Sequence, residues 1–265
     1  MFFRRIIRLS SCYLSTVEIL VAQRLACPED GFGLQQAVLE EVAARSRGPT
    51  ALLWSSSRYV GATRPETRLP NFGLAACLAE ESGFPVLIRN SGGGAVAANE
   101  GSISFSLTRP VEDLRHGLYE RYAEGTDLLI AALHRIGIEA EAGKVEGEFC
   151  PGAYSVRSGG TFGTKIAGLA QRVSRRAARL EALILVKETE EVSRILARFY
   201  NVLGLPFRPA SIADLPMTNV PAAIEALTEA VRKRYGVREA ELGDETFARA
   251  RALRESWRAT PNPCQ

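Results

Sequence analysis

A cysteine ahead of Pro-Gly, a lysine among small residues and a triple-glycine turn are the features of this chain with chemical potential. Cys150 lies in Val145-Glu-Gly-Glu-Phe-Cys-Pro-Gly-Ala-Tyr154, and the following proline and glycine place it in a loop rather than a helix or central strand. A thiol of pKa about 8.5 is roughly 3% thiolate at pH 7, so a nucleophilic Cys150 needs a cation beside it. The plainer reading of a single cysteine is a small buried apolar residue. In Arg89-Asn-Ser-Gly-Gly-Gly-Ala-Val96 three glycines follow a strand. They let the backbone approach a ligand and present N–H groups to a carbonyl or phosphate. No Gly-Lys-Ser/Thr follows, so this is not a Walker loop, and it is not GxGxxG. Ala95, Ala97 and Ala98 keep the next strand narrow enough for a slender ligand, although a tight turn between strands would read the same.

Lysine is rare here. Of the 33 basic residues only Lys144, Lys165, Lys187 and Lys233 are lysines, the rest being arginine. Against that background Lys165, in Gly163-Thr-Lys-Ile-Ala-Gly-Leu-Ala-Gln171, suggests a need for a compact ammonium whose pKa can shift. A lysine capping a strand edge is the alternative. Arg172, Arg175, Arg176 and Arg179 read as a solvated hairpin, or as a landing site for an acidic partner or phosphate. His116 and His134 fall on a long helix and read as structural.

These groups must be positioned by one large domain or two small ones, which is what 265 residues allow. A net charge of +3 does not imply nucleic acid. The five cysteines are odd in number, widely spaced and free of CxxC, which fits reduced thiols, and no zinc pattern is present. Near the N-terminus Arg8, Ser10, Ser11 and Glu18 interrupt any apolar run, so neither a signal peptide nor a membrane span is expected. A cytoplasmic protein follows as the expectation.

Apolar spacing predicts helices over 28–47, 72–82, 112–135, 190–203 and 221–235, and a last one after about Gly243. Strands are expected over 51–54, 58–60, 85–89, 102–107, 153–156, 164–171 and 180–186. In the 102–107 strand Ile103, Phe105 and Leu107 share one face and Ser102, Ser104 and Ser106 the other. Strands and helices mix without regular βαβ alternation, so the expected class is α+β. Residues 1–27 read as an N-terminal extension, 28–240 as the catalytic domain and 241–265 as a charged tail. Gly204–Pro216 is the best boundary for any second unit.

The ordered set Arg-Asn-Ser-Gly-Gly-Gly-Ala-Val, Phe-Cys-Pro-Gly-Ala-Tyr and Lys-Ile-Ala-Gly-Leu-Ala-Gln resembles the lipoate–protein ligase/octanoyltransferase family, which shares a catalytic fold with biotin protein ligases. The resemblance covers roughly Gly48 to Tyr235. It implies an α+β domain with a mixed sheet around an acyl tunnel. The Cys-Pro-Gly loop is most similar to the cysteine-dependent amidotransferases that move octanoyl from the glycine-cleavage H protein to lipoyl domains. ATP-dependent ligases usually carry Arg-Asn-Asp where this chain has Pro151-Gly-Ala-Tyr154, and two arginines before the glycine loop where Ile88 takes the first place. Ala98-Asn99 replaces their His-Asp, and Ser102 their Asn.

The resemblance implies an acyl transfer with Cys150 as nucleophile and Lys165 lowering its pKa and donating to the carbonyl oxygen. Arg89, Ser91, Gly92, Gly93, Gly94, Ala95, Gly152, Ala167 and Gly168 are the expected substrate-binding residues. No metal or cofactor is expected for that reaction. ATP and Mg²⁺ would be needed by the alternative, a lipoate ligase, and a non-catalytic acyl- or carrier-binding module is a third reading. The implied partners are an acyl donor, either acyl carrier protein or glycine-cleavage H protein, and lipoyl-domain acceptors, with neither nucleic acid nor membrane.

Overall fold

The computed structural model describes residues 16–113 and 116–259. In chain order the strands are β1 Val17–Leu25, β2 Thr50–Ser56, β3 Tyr59–Thr63, β4 Val86–Arg89, β5 Val96–Ala98, β6 Ser102–Pro110, β7 Glu141–Ala142, β8 Val156–Ser158, β9 Thr164–Val173, β10 Ala177–Leu185 and β11 Val237–Glu239. The helices are α1 Pro28–Ala43, α2 Phe72–Glu81, α3 Leu118–Arg135, α4 Thr189–Val202, α5 Val220–Arg234, α6 Asp244–Ala252 and α7 Arg254–Trp257. The class is α+β, as expected.

Eight strands form a mixed sheet in the order β11-β1-β2-β6-β10-β9-β8-β7, parallel at β11/β1/β2 and antiparallel beyond. A small sheet, β4-β3-β5, lies beside it. Alternation decides which face of the large sheet each side chain meets. Ile103, Phe105 and Leu107 join Leu53, Ile184, α3 and α5 in one core. Trp54 and Leu183 face the other core, with α1, α4 and the small sheet. The serines of β6 are buried on this second side.

Helix limits fall close to the apolar periods. The one large departure is α3, which begins at Leu118 after a left-handed Gly117 (φ 78°). The N-terminal extension is corrected by β1. Val17 and Ile19 enter one core and Leu20 and Ala22 the other, so this strand is interior, buried on both faces and paired with β2. The tail is also part of the domain. Arg254 holds Asp30 through Nε and Nη2, both at 2.6 Å, and Arg258 pairs with Glu29, docking α6 and α7 on α1. No second unit starts at Gly204–Pro216. Arg208 N–H donates to Gly147 O (2.7 Å), and Phe207 packs on Phe149 and Tyr200.

Cys27 and Cys150 are free thiols. No helix among the described residues is long and apolar enough to cross a membrane.

Candidate active site

The glycine turn, the Cys150 loop and Lys165 converge on the face of the large sheet that meets the small one. Cys150 adopts φ 42°, a left-handed conformation that a non-glycine residue keeps only when its surroundings hold it there. Its N–H donates to the Tyr200 hydroxyl (2.8 Å), which donates in turn to Ala95 O (2.8 Å), tying the cysteine loop to β5 through α4. Burial pushes the Tyr200 phenol well above the usual tyrosine range, so it stays a donor at all working pH values. Tyr200→Phe should strand a buried N–H and C=O and cost about 1–3 kcal/mol in denaturant unfolding, with slower Cys150 alkylation.

Two donors face the sulfur. Gly94 N–H donates to Sγ at 3.1 Å, and Arg89 Nη2 lies 3.6 Å from it. Gly93 (φ 100°) makes this approach possible, since a Cβ there would sit 2.6 Å from Sγ. Arg89 is 7% exposed and firmly aimed. Nη2 also donates to Gly94 O (2.6 Å), Nη1 donates to Ser91 Oγ (3.0 Å), and Ser91 Oγ–H donates to Glu181. Glu181 Oε1 lies 3.7 Å from Arg89 Nη1. Its Oε2 accepts from Arg179, whose Nη2 reaches Asn90 Oδ1 (2.9 Å). Burial alone would raise the Glu181 carboxyl, but Arg179, Arg89 and Ser91 outweigh it and hold the group below the usual range, ionised.

Lys165, 1% exposed, lies beneath the cysteine loop. Its Nζ donates to Phe149 O (2.8 Å) and Cys150 O (3.0 Å) and lies 3.4 Å from Glu148 Oε2. Glu148, itself buried, accepts through Oε1 from Gly152 N–H and Ser155 Oγ–H, both at 3.1 Å. The pair therefore clamps the Phe149–Gly152 turn from beneath, and the cation in reach of Sγ is Arg89. Burial draws the Lys165 ammonium below the ordinary lysine value, with Cys150 and Glu148 opposing that shift.

Beside Cys150 a cavity lies between the two sheets, walled by Phe32, Trp54, Tyr59, Val96, Leu183 and Trp257. Phe32 packs against Tyr59 (ring centroids 5.3 Å apart), Trp257 (5.8 Å) and Trp54 (6.0 Å). Gln35, Arg89, Asn90, Ser104, Arg179 and Glu181 add polar groups to the cavity lining.

Of the expected residues, Cys150, Lys165, Arg89, Ser91, Gly93 and Gly94 are brought together, and Gly168 lines the cavity. Gly152 serves through its N–H to Glu148. Ala95 is fully buried, its N–H donating to Glu66 Oε1 (2.7 Å). Gly92 lies in an adjoining groove. Ala167 is not part of the site. A bulge pairs Val156 with Ala167 but Arg157 with Lys165, so Ala167 turns into the core under α3 and α5. Arg179 also departs from the solvated hairpin: it is 3% exposed, inside the cavity wall. His116 and His134 line neither cavity nor groove. Glu66, Glu148, Glu181, Tyr200 and Trp257 escaped sequence reasoning. Only Glu148 had a signal, its position two residues before the cysteine.

Residues 27–234 match the lipoyl protein ligase A/B catalytic domain family. Among curated relatives, the octanoyl-[GcvH]:protein N-octanoyltransferase of Geobacillus kaustophilus is 27% identical over 66% of this chain and 61% of its own length. That of Bacillus velezensis is 30% identical over 65% and 59%. The chain thus spans about three fifths of the curated relatives it matches. Among solved structures, a lipoate protein ligase homologue from Thermoplasma acidophilum superposes with a TM-score of 0.70, 17% identity and coverage of 91% and 95%, a likeness of fold. With its catalytic-domain match running from the start of α1 to the end of α5, this chain belongs to the lipoyl protein ligase A/B family.

Proposed function

We propose that this chain is an acyltransferase that moves an octanoyl or lipoyl group, through a thioester on Cys150, onto a lysine of a lipoyl-domain protein. The observation that carries this is the Cys150 sulfur, held between the Gly94 N–H and the Arg89 guanidinium at the wall of a largely apolar cavity. The Gly94 N–H and the Arg89 guanidinium are placed to stabilise negative charge on the sulfur as it reacts. The Cys150 sulfur attacks the donor carbonyl, C–S forms and the donor's own bond to the acyl carbon breaks, a leaving lysine amine taking its proton from the Lys165 ammonium. The same two donors are placed to meet negative charge as it grows on the oxygen. In the second half-reaction the acceptor amine attacks, C–N forms and C–S breaks. Lys165, held below the usual lysine range and coupled to Cys150, takes the proton the amine loses.

An eight-carbon chain gains at most about 6 kcal/mol from burial, at about 0.8 kcal/mol per methylene, so the apolar wall is the main source of acyl affinity. No cofactor is required, because the acyl group arrives already activated or is exchanged between lysines. The donors proposed are an octanoyl-carrying acyl carrier protein or glycine-cleavage H protein. The names of the curated relatives, all octanoyl or lipoyl transferases acting from GcvH, support the second.

Incubation with an octanoyl donor should add one octanoyl mass to the intact protein. Hydroxylamine should remove it, and Cys150→Ser should lack it. Transfer from free acid that needs ATP and survives Cys150→Ser would overturn this reading in favour of a ligase.

A further inference from the structure

A second depression abuts the reactive thiol on its outer side. It is lined by Thr63, Arg64, Arg89, the Ser91–Gly93 backbone, Gln171 and Arg172. Gly93 separates it from Sγ: a Cβ on that residue would lie 2.6 Å from the sulfur. Its lining contains no acidic side chain. Arg64 and Arg172 are exposed, and among the described residues neither has a carboxylate within ion-pair distance. Arg24, Arg58, Arg194, Arg232 and Arg238, by contrast, are each paired with a glutamate. Buried Arg89 forms the floor, and its Nε has no partner. A groove that leads from two exposed arginines without carboxylate partners to the nucleophile is built for anions carried by the incoming substrate.

Reach selects which anion. A lysine side chain spans roughly 6 Å from Cα to Nζ, and neighbouring Cα atoms follow at about 3.8 Å. An acceptor lysine attacking at Cys150 therefore brings the side chains beside it in sequence over this groove. A phosphate at the far end of a pantetheine arm, several times longer than a lysine, would lie outside it. We propose that the Arg64–Arg172 groove binds the acidic side chains flanking the target lysine of the acceptor protein. This deepens the acyl-transfer reading and rests on it for the identity of the lysine. The groove sets acceptor affinity and presents the amine so that C–N forms as C–S breaks.

The test compares wild type with Arg64→Glu/Arg172→Glu, both residues being exposed and outside the sulfur's contacts. Three readouts are taken: octanoyl loading of Cys150 from octanoyl-N-acetylcysteamine, a neutral small donor; direct titration with an unacylated lipoyl domain bearing acidic residues beside its lysine; and transfer to that domain. Loading should be unchanged within about twofold. The domain's Kd, and KM in transfer, should rise at least tenfold with kcat little changed, and the wild-type affinity should weaken steeply with salt. A domain whose flanking acids are changed to lysine should bind the charge-reversed enzyme better than the wild type. Equal affinity of both enzymes for the acidic domain would overturn the proposal. So would competition by millimolar inorganic phosphate or coenzyme A with no effect of the flanking acids, which marks a phosphate site. Absence of octanoyl on wild-type Cys150 would instead sink the acyl-transfer reading, leaving the titration to decide the groove.

Discussion

Lys165→Met is expected to lower stability by about 3–5 kcal/mol and acyl transfer by about 10²–10⁴-fold. The stability loss follows from Glu148, which loses the only group near its Oε2 and is left as a buried charge without compensation. Phe149 O and Cys150 O lose their donor at the same time, so the turn that carries the nucleophile loosens. For a domain of this size the melting temperature should fall by on the order of 10 °C. Adding Glu148→Gln removes the stranded charge and should restore part of that loss. Turnover should stay low, because the proton acceptor for the incoming amine is still missing. That contrast separates the structural role of the pair from the chemical one.

The pH dependence has a definite sign. Burial draws the Lys165 ammonium below the ordinary lysine value, and only the neutral amine can accept a proton. The rate of transfer from preformed octanoyl-enzyme should therefore rise with pH as Lys165 deprotonates, in a range below that of a free lysine. The rise should vanish in Lys165→Met. Near wild-type transfer by a folded Lys165→Met enzyme would remove the lysine from the chemistry and leave it a loop anchor.

What the residues revealed in advance was local. Three glycines, a Pro-Gly loop and helix periods are written in neighbouring residues, and all stand where expected. What escaped depends on partners far apart in the chain. A strand of strict period two would give Lys165 and Ala167 one face, but the bulge at Ile166 turns Lys165 to the site and Ala167 to the opposite core. Nothing in 164–167 announces that irregularity, which is set by pairing with β8. Arg179 looks like its neighbours Arg175 and Arg176 in sequence, yet it lies inside β10 and faces inward to Glu181 and Asn90. β1 and Trp257 are far apart in the chain, and tertiary packing joins both to the site's core, β1 through its pairing with β2 and Trp257 through Phe32 of α1. The identities of Arg89 and Lys165 are legible, but that Arg89 Nη2 lies 3.6 Å from Sγ while Lys165 Nζ holds the Phe149 and Cys150 carbonyls is a matter of tertiary geometry.

Gly93→Ala is expected to cut Cys150 alkylation by iodoacetamide at least a hundredfold while costing only about 1–3 kcal/mol of stability. Two effects add. At φ 100° an L side chain is strained whatever the space around it. The new Cβ would also sit 2.6 Å from Sγ and 2.8 Å from Arg89 Nη2. Arginine can retreat along its flexible side chain, but retreat takes the cation off the sulfur. Cys150 cannot, because Tyr200 and the Lys165–Glu148 clamp fix its backbone. Either way the sulfur loses a donor and is shielded from an incoming carbonyl. Gly92→Ala is the internal comparison, since its Cβ would meet no atom within 4 Å and its φ is not left-handed. That variant should alkylate within about twofold of wild type. Equal reactivity of the two alanine variants would mean that the glycine turn does not control the thiol, and that the short Gly94 N–H to Sγ contact is incidental to its reactivity.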